Sequence, residues 1–444
     1  MGTIYNFSKN ALQKIKQHPD SVQVALLTLV AATIPLSHNI NSIAVILFVI
    51  YSLLSAKKSN ISLTPALVIP VAFYLLMVLS LSWTIDFKST LKALSKEAPL
   101  LFIPVAFYLN KKLSRGQVSQ VLHYYSIFMC LFAVYCIGRA VINYISTNDV
   151  SVFFYHQLAT VKVNAIYLSA LMALAFFHLL AKKTKVWWEY LAVLFLGAFI
   201  VLLSSKNVII TVVVLTGLYF LLSKSVARRI KIASIAAFIV VVFTFGYYGK
   251  IKDRFAKEYM PNTEVADYKD SKTAAEADDV YSVSVKQAYT LEKFGPNAYF
   301  NGTAFRVYQA RIFSEMLQEE PIFFTGYGLN ASEQKIMQKG TEHDVYKGSG
   351  TVEGYNIQNF HNQYVQAFAD LGFFGFLLVV ILLIVNLVNG LKSKDFVNIA
   401  FAVVMITLFL TESFLWRQRG VVFFTLFYCL FSTCIRKKAI EKEI

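Results

Sequence analysis

The sequence predicts an all-α polytopic membrane protein of about twelve transmembrane helices, interrupted by one large loop that contains helices of its own. Three observations carry that expectation. Of the 444 residues, 57% are hydrophobic and only 15% are charged, whereas a soluble domain carries about 25% charged residues. Long apolar runs recur along the chain, and a bilayer core takes about 20 helical residues. A single long polar stretch, from Lys250 to Gln363, breaks the pattern. A β-barrel is excluded, because the runs do not alternate polar and apolar residues.

The candidate spans fall at 21–37, 39–55, 62–82, 97–109, 118–145, 163–181, 188–204, 207–222, 230–248, 366–389, 396–411 and 420–435. The first follows a polar, lysine-bearing N-terminus without a small-residue cleavage site, so it reads as a retained span. The fourth is short and carries Pro99 and Pro104, which predicts a tilt or a break. The chain divides into spans one to nine (1–248), a loop domain (249–365), and spans ten to twelve with a C-terminal tail (366–444). Cys130, Cys136, Cys429 and Cys434 lie in or beside apolar runs. Their spacing fits no zinc pattern, and they read as small packing residues.

Basic residues orient the spans. Lys9, Lys14 and Lys16 precede the first. Lys57 and Lys58 follow the second, Lys111, Lys112 and Arg115 the fourth, and Lys182, Lys183 and Lys185 the sixth. Lys224, Arg228, Arg229 and Lys231 follow the eighth, Lys392 and Lys394 the tenth, and Arg436, Lys437 and Lys438 the last. Every even-numbered exit is basic. Both termini are therefore expected in the cytoplasm and the long loop outside it. The net charge of +16 is largely this topology signal rather than a nucleic-acid patch.

Cations in the outward connections stand against that rule. Lys88, Lys92 and Lys96 lie between spans three and four, Lys206 between seven and eight, and Arg417 and Arg419 between eleven and twelve. Arg139 sits inside span five near its outer end. Ionisable groups at membrane depth are costly and usually functional. Each taken singly is open to a plainer account: snorkelling, or pairing with Glu97 or Glu412. Together they predict a cationic site at the outer leaflet, suited to a lipid-linked anion such as a diphosphate.

In the loop, the acidic residues Asp267, Asp270, Glu276, Asp278 and Asp279 read as a solvated segment or, alternatively, a metal site. No glycine-rich phosphate loop followed by lysine occurs, so nothing points to ATP. A helix is predicted from Asn301 or Thr303, either of which can cap it, to just before Pro321. It carries Arg306 in its first turn, where a cation opposes the helix dipole unless an anion holds it, and Arg311 further on. Pro321 to Asn330 reads as a glycine turn, and Gly340 as the close of another short helix. Asn359 is a plausible cap for the helix of span ten, which would place His361 in its first turn, where free N–H groups favour anions. A structural histidine at the water–lipid interface is the plainer alternative.

The order of these motifs resembles the O-antigen ligase and polymerase superfamily of bacterial envelope enzymes. The resemblance covers the topology and, most specifically, the run from Arg306 to Gly375. An arginine-bearing helix leads into Pro-Ile-Phe-Phe-Thr-Gly-Tyr-Gly (321–328). His361-Asn362-Gln363-Tyr364-Val365-Gln366 follows, and then Asp-Leu-Gly-Phe-Phe-Gly (370–375). The segment from Glu412 through Arg417 and Gln418 to Gly420 resembles the family's penultimate outward turn. Ser205-Lys206 resembles its Ser-Arg pair, with lysine in place of arginine; lysine is a point charge and lacks the bidentate fork.

The resemblance implies a glycosyltransferase of the bacterial inner membrane, with a donor glycan on undecaprenyl diphosphate and an acceptor hydroxyl at the periplasmic face. It implies His361 as base or positioning group and Arg306 on the diphosphate. Lys206, Arg417, Arg139, Arg311, Gln418, Asn362 and Tyr364 are the further substrate-binding candidates. Neither a metal nor ATP is expected, since the donor's sugar–diphosphate bond already carries the free energy. A ligase would take lipid A–core as acceptor, and a polymerase another lipid-linked repeat. A twelve-span lipid-glycan transporter is the rival of another class. It fits less well, because no internal repeat is evident and the candidate charges cluster at the outer ends.

Overall fold

The computed structural model describes residues 19–58, 61, 64–160, 163–222, 232, 236, 280–349 and 352–435. Apart from two positions, the predicted ninth span lies outside them. So do the acidic set from Asp267 to Asp279 and the cations Lys9, Lys14, Lys16, Lys224, Arg228, Arg229, Lys231, Arg436, Lys437 and Lys438.

The first part of the chain folds as α1 (Pro19–Thr33), α2 (His38–Ser55), α3 (Pro65–Leu79), α4 (Phe87–Glu97), α5 (Pro99–Leu109), α6 (Arg115–Thr147), α7 (Tyr155–Leu158), α8 (Ala165–Ala181), α9 (Trp187–Leu202) and α10 (Lys206–Leu222). The last part folds as α14 (Gln363–Ser393), α15 (Phe396–Phe409) and α16 (Gln418–Ser432). The starts are written locally. Ser37, Asp86, Ser114 and Asn164 each accept a first-turn N–H, and Pro65 and Pro99 occupy first positions that need no donor.

The predicted fourth span forms α5 without an internal break, Pro104 lying inside the helix, and it is preceded by α4, a helix that no apolar run predicts. Helix α4 ends at Glu97 and α5 begins at Pro99, with Ala98 between them. Proline has no N–H to continue the ladder and its ring crowds the preceding turn, so the chain starts a new helix there.

Among the described residues, four helices are long and apolar enough to cross a membrane: His38–Ser55, Pro65–Ser82, Arg115–Thr147 and Gln363–Ser393. Six further apolar helices of 10–17 residues accompany them. The outward faces stay apolar, for example Ile43, Ile50 and Leu54 on α2, and Leu131, Val134 and Ile142 on α6. Exposed apolar patches of this extent belong against lipid. This is an all-α membrane protein. Inside the bundle, α14 packs on α15 and α3, α10 and α8 pack on α15, and α16 packs on α5.

Between α10 and α14 lies a second folded unit with its own core. It comprises β1 (Tyr281–Val283), α11 (Val285–Thr290), β2 (Ala298–Phe300), α12 (Gly302–Glu319), α13 (Ser332–Glu342), β3 (Gly348–Ser349) and β4 (Val352–Glu353). Strands β1 and β2 pair in parallel, and β3 and β4 antiparallel. Phe294, Phe300, Phe305, Tyr308, Ile312 and Phe360 fill this core. Gly340 does not close α13: the helix carries it and runs on to Glu342.

The turn after α12 fastens this unit to the bundle. Tyr327 N donates to Ala369 O at 2.9 Å, Gly328 N to Asp370 O at 2.8 Å, and Phe373 N to Phe323 O at 2.7 Å. The last bond satisfies a donor freed where α14 kinks at Gly372 (φ 66°, ψ −163°). On the other side, Ile85 N donates to Tyr327 O at 3.0 Å and Thr90 Oγ1 to Leu329 O at 2.8 Å. The approach leaves no room for side chains. A Cβ on Gly326 would lie 2.4 Å from the Asp370 backbone, and one on Gly372 would lie 2.3 Å from the Phe324 backbone. The two glycine motifs thus dock against each other.

Candidate active site

Three elements meet at one turn, Thr411 to Arg417, between α15 and α16. The first is α12. Asn301 caps it, accepting from Thr303 N and Ala304 N. Arg306 therefore lies one turn inside rather than in the first turn. Its Nη1 donates back to Gly302 O at 2.8 Å, and its Nε and Nη2 donate to Thr411 O at 3.3 and 3.0 Å. Its Nη2 also lies 3.7 Å from Glu412 Oε1. Guanidinium has five N–H donors, so two remain, on a side chain one-third exposed.

The second element is the lead into α14, and here the sequence expectation needs correction. Asn362, not Asn359, caps the helix, accepting from Tyr364 N at 3.0 Å and Val365 N at 3.1 Å. His361 lies just outside the helix, in left-handed backbone (φ 45°). The cause is local. Asn359 Oδ1 accepts from His361 N at 2.9 Å, which folds the chain two residues on and delays the helix to Gln363. His361 Nδ1 then faces Glu412 Oε2 at 3.4 Å, and its Nε2 faces Gln358 Oε1 at 3.3 Å. Phe305 stands edge-on to the imidazole at 6.0 Å.

Glu412 is the third element's contribution. It is buried, one oxygen toward Arg306 and the other toward His361. An ionised carboxylate only accepts hydrogen bonds. With Glu412 accepting, His361 Nδ1 is the donor of that pair, and a neutral ring then leaves the lone pair on Nε2, which Gln358 meets with its amide N–H once its oxygen and nitrogen are exchanged. The arrangement is a base oriented by an acid, with a guanidinium beside it.

The rest of the turn is held from several sides. Gln363 Oε1 accepts from Leu415 N at 2.7 Å. Tyr167 OH donates to the Ser413 and Phe414 carbonyls at 3.2 and 3.1 Å. Asn207 Nδ2 donates to Thr411 Oγ1 at 2.8 Å and to Thr407 O. Lys206, which opens α10, is thereby carried to the same end of the bundle. Arg417 is exposed, with its guanidinium over the Tyr167 ring at 5.9 Å.

The other sequence candidates are engaged differently. Arg139 Nη2 donates to the carbonyls of Gln157, Leu158 and Ala159, tying α6 to α7. Arg311 pairs with Glu315 at 2.8 Å and donates to Leu291 O, inside the second unit. Gln418 donates to Ser42 Oγ at 2.7 Å, and Tyr364 OH to Ile406 O at 3.1 Å. Asn362 spends its side-chain oxygen on the cap. None of these five has a contact with Arg306, Glu412 or His361 among those the structure describes.

Glu412 as the centre, with Gln358 and Asn207 around it, is what sequence reasoning missed. A carboxylate beside two arginines in a short outward turn was the available signal.

No curated protein matches the chain. Residues 191–380 match the family model described as Wzy_C, O-Antigen ligase, a stretch that contains Lys206, Arg306 and His361 and ends before Glu412. That match supports the O-antigen ligase superfamily for residues 191–380 of the chain.

Proposed function

We propose that the protein is an O-antigen ligase of the bacterial inner membrane. It moves a glycan from undecaprenyl diphosphate to a hydroxyl of lipid A–core, at the periplasmic face and without ATP or a metal. The chain crosses the membrane twelve times, with both termini in the cytoplasm and residues 249–365 as the periplasmic domain. The observation that carries this reading is Glu412 lying between His361 and Arg306.

In the reaction, the acceptor oxygen attacks the anomeric carbon of the donor sugar. Its proton passes to His361 Nε2, and Glu412 steadies the imidazolium that forms. The bond from the anomeric carbon to the diphosphate oxygen breaks, and undecaprenyl diphosphate leaves. The two remaining Arg306 donors, with Arg417 and Lys206, meet the charge that develops on it. Energy comes from the sugar–diphosphate bond.

A polymerase would use the same site with a second lipid-linked repeat as acceptor. The envelope glycolipids of a deletion strain separate the two. Loss of a ligase leaves lipid A–core without long glycan while lipid-linked polymer accumulates. Loss of a polymerase leaves core capped by one repeat. A profile identical to wild type would overturn both readings.

A further inference from the structure

Lys88 and Lys92, two of the cations that stand against the charge rule, are not used by the Glu412 site. They lie on α4, between the apolar helices α3 and α5. At about 100° per residue this helix has three sides. Thr90, Ala93, Leu94 and Glu97 are buried against the protein. Beside them Phe87 (59% exposed) and Leu91 form an apolar stripe open to the surroundings. Lys88 and Lys92 form an exposed basic stripe next to that. Lys96, one turn on, stands instead over the Trp416 ring at 5.3 Å. An apolar stripe bordered by lysines suits a helix lying at a lipid–water boundary. The lysine stems run along apolar surface while the ammonium groups reach headgroup depth.

A second apolar segment lies beside α4. Trp83 Nε1 donates to Thr325 O at 2.9 Å, Ile85 N to Tyr327 O at 3.0 Å, and Asn330 Nδ2 to Ser89 Oγ at 2.9 Å. The turn held there belongs to the second unit, yet it exposes Phe323 and Phe324, the latter by 62%. Leaving two such rings in water forgoes the gain from burying them. Their contacts continue onto α14. Phe323 stacks on Phe373 at 5.8 Å and 9°, and the Phe324 ring lies 6.3 Å from that of Phe374, itself exposed. Phe373 and Phe374 open the apolar run of α14, a helix long and apolar enough to cross the membrane.

We propose that α4 and the 321–325 turn form one membrane-embedded rim. Phe87, Leu91, Phe323 and Phe324 sit among the acyl chains of the leaflet on the second unit's side, and Lys88 and Lys92 meet its lipid phosphates. The occupant is phospholipid, because the rim continues the lipid-facing surface of α14 and its lysines match the headgroup charge. Such a rim fixes the height of the second unit, and of Arg306 within it, at the lipid–water boundary. The proposal rests on the membrane fold and not on the glycosyl-transfer reading.

The test is made on the full chain with the four native cysteines replaced. Phe324→Cys and Phe87→Cys are each coupled to an environment-sensitive fluorophore in nanodiscs of phosphatidylethanolamine and phosphatidylglycerol. Quenching by a lipid spin-labelled near the top of its acyl chain is measured. Leu79→Cys, exposed on α3, gives the value for lipid contact, and Tyr289→Cys, exposed on α11, the value for water. Both rim probes are expected to lose at least half as much fluorescence as Leu79→Cys, while Tyr289→Cys loses almost none. A smaller loss at either rim position overturns the proposal, because the rim is one surface. Protection from both the lipid quencher and aqueous iodide marks a protein partner, such as a second copy of the chain, and overturns it too. Phe323→Cys and Leu91→Cys repeat the reading on the same two segments, so one misfolded variant leaves the result decided.

Discussion

Glu412 Oε2 lies 3.4 Å from His361 Nδ1, and the other oxygen of the same buried carboxylate lies 3.7 Å from Arg306 Nη2. One acid thus orients the candidate base and pairs with the candidate diphosphate ligand. The three residues come from the α15–α16 turn, the lead into α14, and α12.

The acid should matter as much as the base. Glu412→Gln keeps the shape but removes the charge that steadies an imidazolium, so transfer is expected to fall about 10²-fold or more. The loss should appear in kcat, with KM for both substrates close to wild type. Wild-type kcat in folded Glu412→Gln would remove Glu412 from the mechanism.

Arg306 should not be replaceable by lysine. A charge-assisted contact is worth about 1.5–3 kcal/mol, or roughly 10- to 150-fold in rate if made only in the transition state. Arg306→Ala is expected to lose that much transfer. Arg306→Lys should recover little, since an ammonium cannot reach Thr411 O and Gly302 O together and still face a diphosphate. Full transfer by inserted Arg306→Ala would place the diphosphate elsewhere.

Gly326→Ala and Gly372→Ala should undo the docking of the second unit on α14. Both glycines have positive φ, and each added Cβ would meet facing backbone. A non-glycine residue held there costs about 1–3 kcal/mol before the clash is counted. Thermal melting of the purified protein should show a lowered midpoint in both, with Gly328 untouched. A midpoint equal to wild type in either variant would mean the turn can shift without cost.

The second unit should weaken in acid through His343. Burial holds its imidazole below the ordinary value, although Glu315 at 3.3 Å pulls the other way. The fold therefore favours the neutral ring. That stabilisation is complete above the unfolded value of about 6.5, and it is lost as pH falls from there through the lowered folded value. Melting at pH 7.5 and 5.5 should differ more in wild type than in His343→Gln. Equal differences would assign the acid sensitivity to other groups.

The orientation of the membrane domain can be read by labelling. With the four native cysteines replaced, Tyr289→Cys should react with an impermeant thiol reagent in cells whose outer membrane is permeabilised. Lys392→Cys should not. The reverse pattern would place residues 249–365 in the cytoplasm and end the proposed mechanism.

Much of the helix layout was legible from apolar runs alone, because the bilayer imposes length and composition on each span. The described helices follow the predicted runs to within a few residues, apart from the longer ends of α6 and α14 and from α4, which no apolar run predicted. The docking of 321–328 against 370–375 was legible only as two glycine motifs. Their pairing depends on backbone approach across the fold, which no local periodicity encodes. His361 was misplaced by one motif, since two asparagines three residues apart can each cap. Asn359 instead folds the chain back and hands the cap to Asn362. Arg139, Arg311 and Gln418 stood out as charged or polar residues in unusual places, yet Arg139 and Arg311 bind partners within about twenty residues and Gln418 binds Ser42 on α2. Glu412 was read only as a counter-ion because its two partners are distant in sequence.

The central claim is that His361 Nε2 takes the proton of the acceptor hydroxyl. The most direct measurement is transfer from undecaprenyl-diphosphate-linked glycan to lipid A–core by purified wild type, His361→Ala and His361→Gln in nanodiscs. A general base contributes about 10²–10⁴-fold. Both variants are expected to insert and melt like wild type yet lose that much kcat, with glutamine no better than alanine. A His361→Gln protein that keeps most of its kcat would make His361 a positioning group. Wild-type rates in both variants would contradict the site altogether.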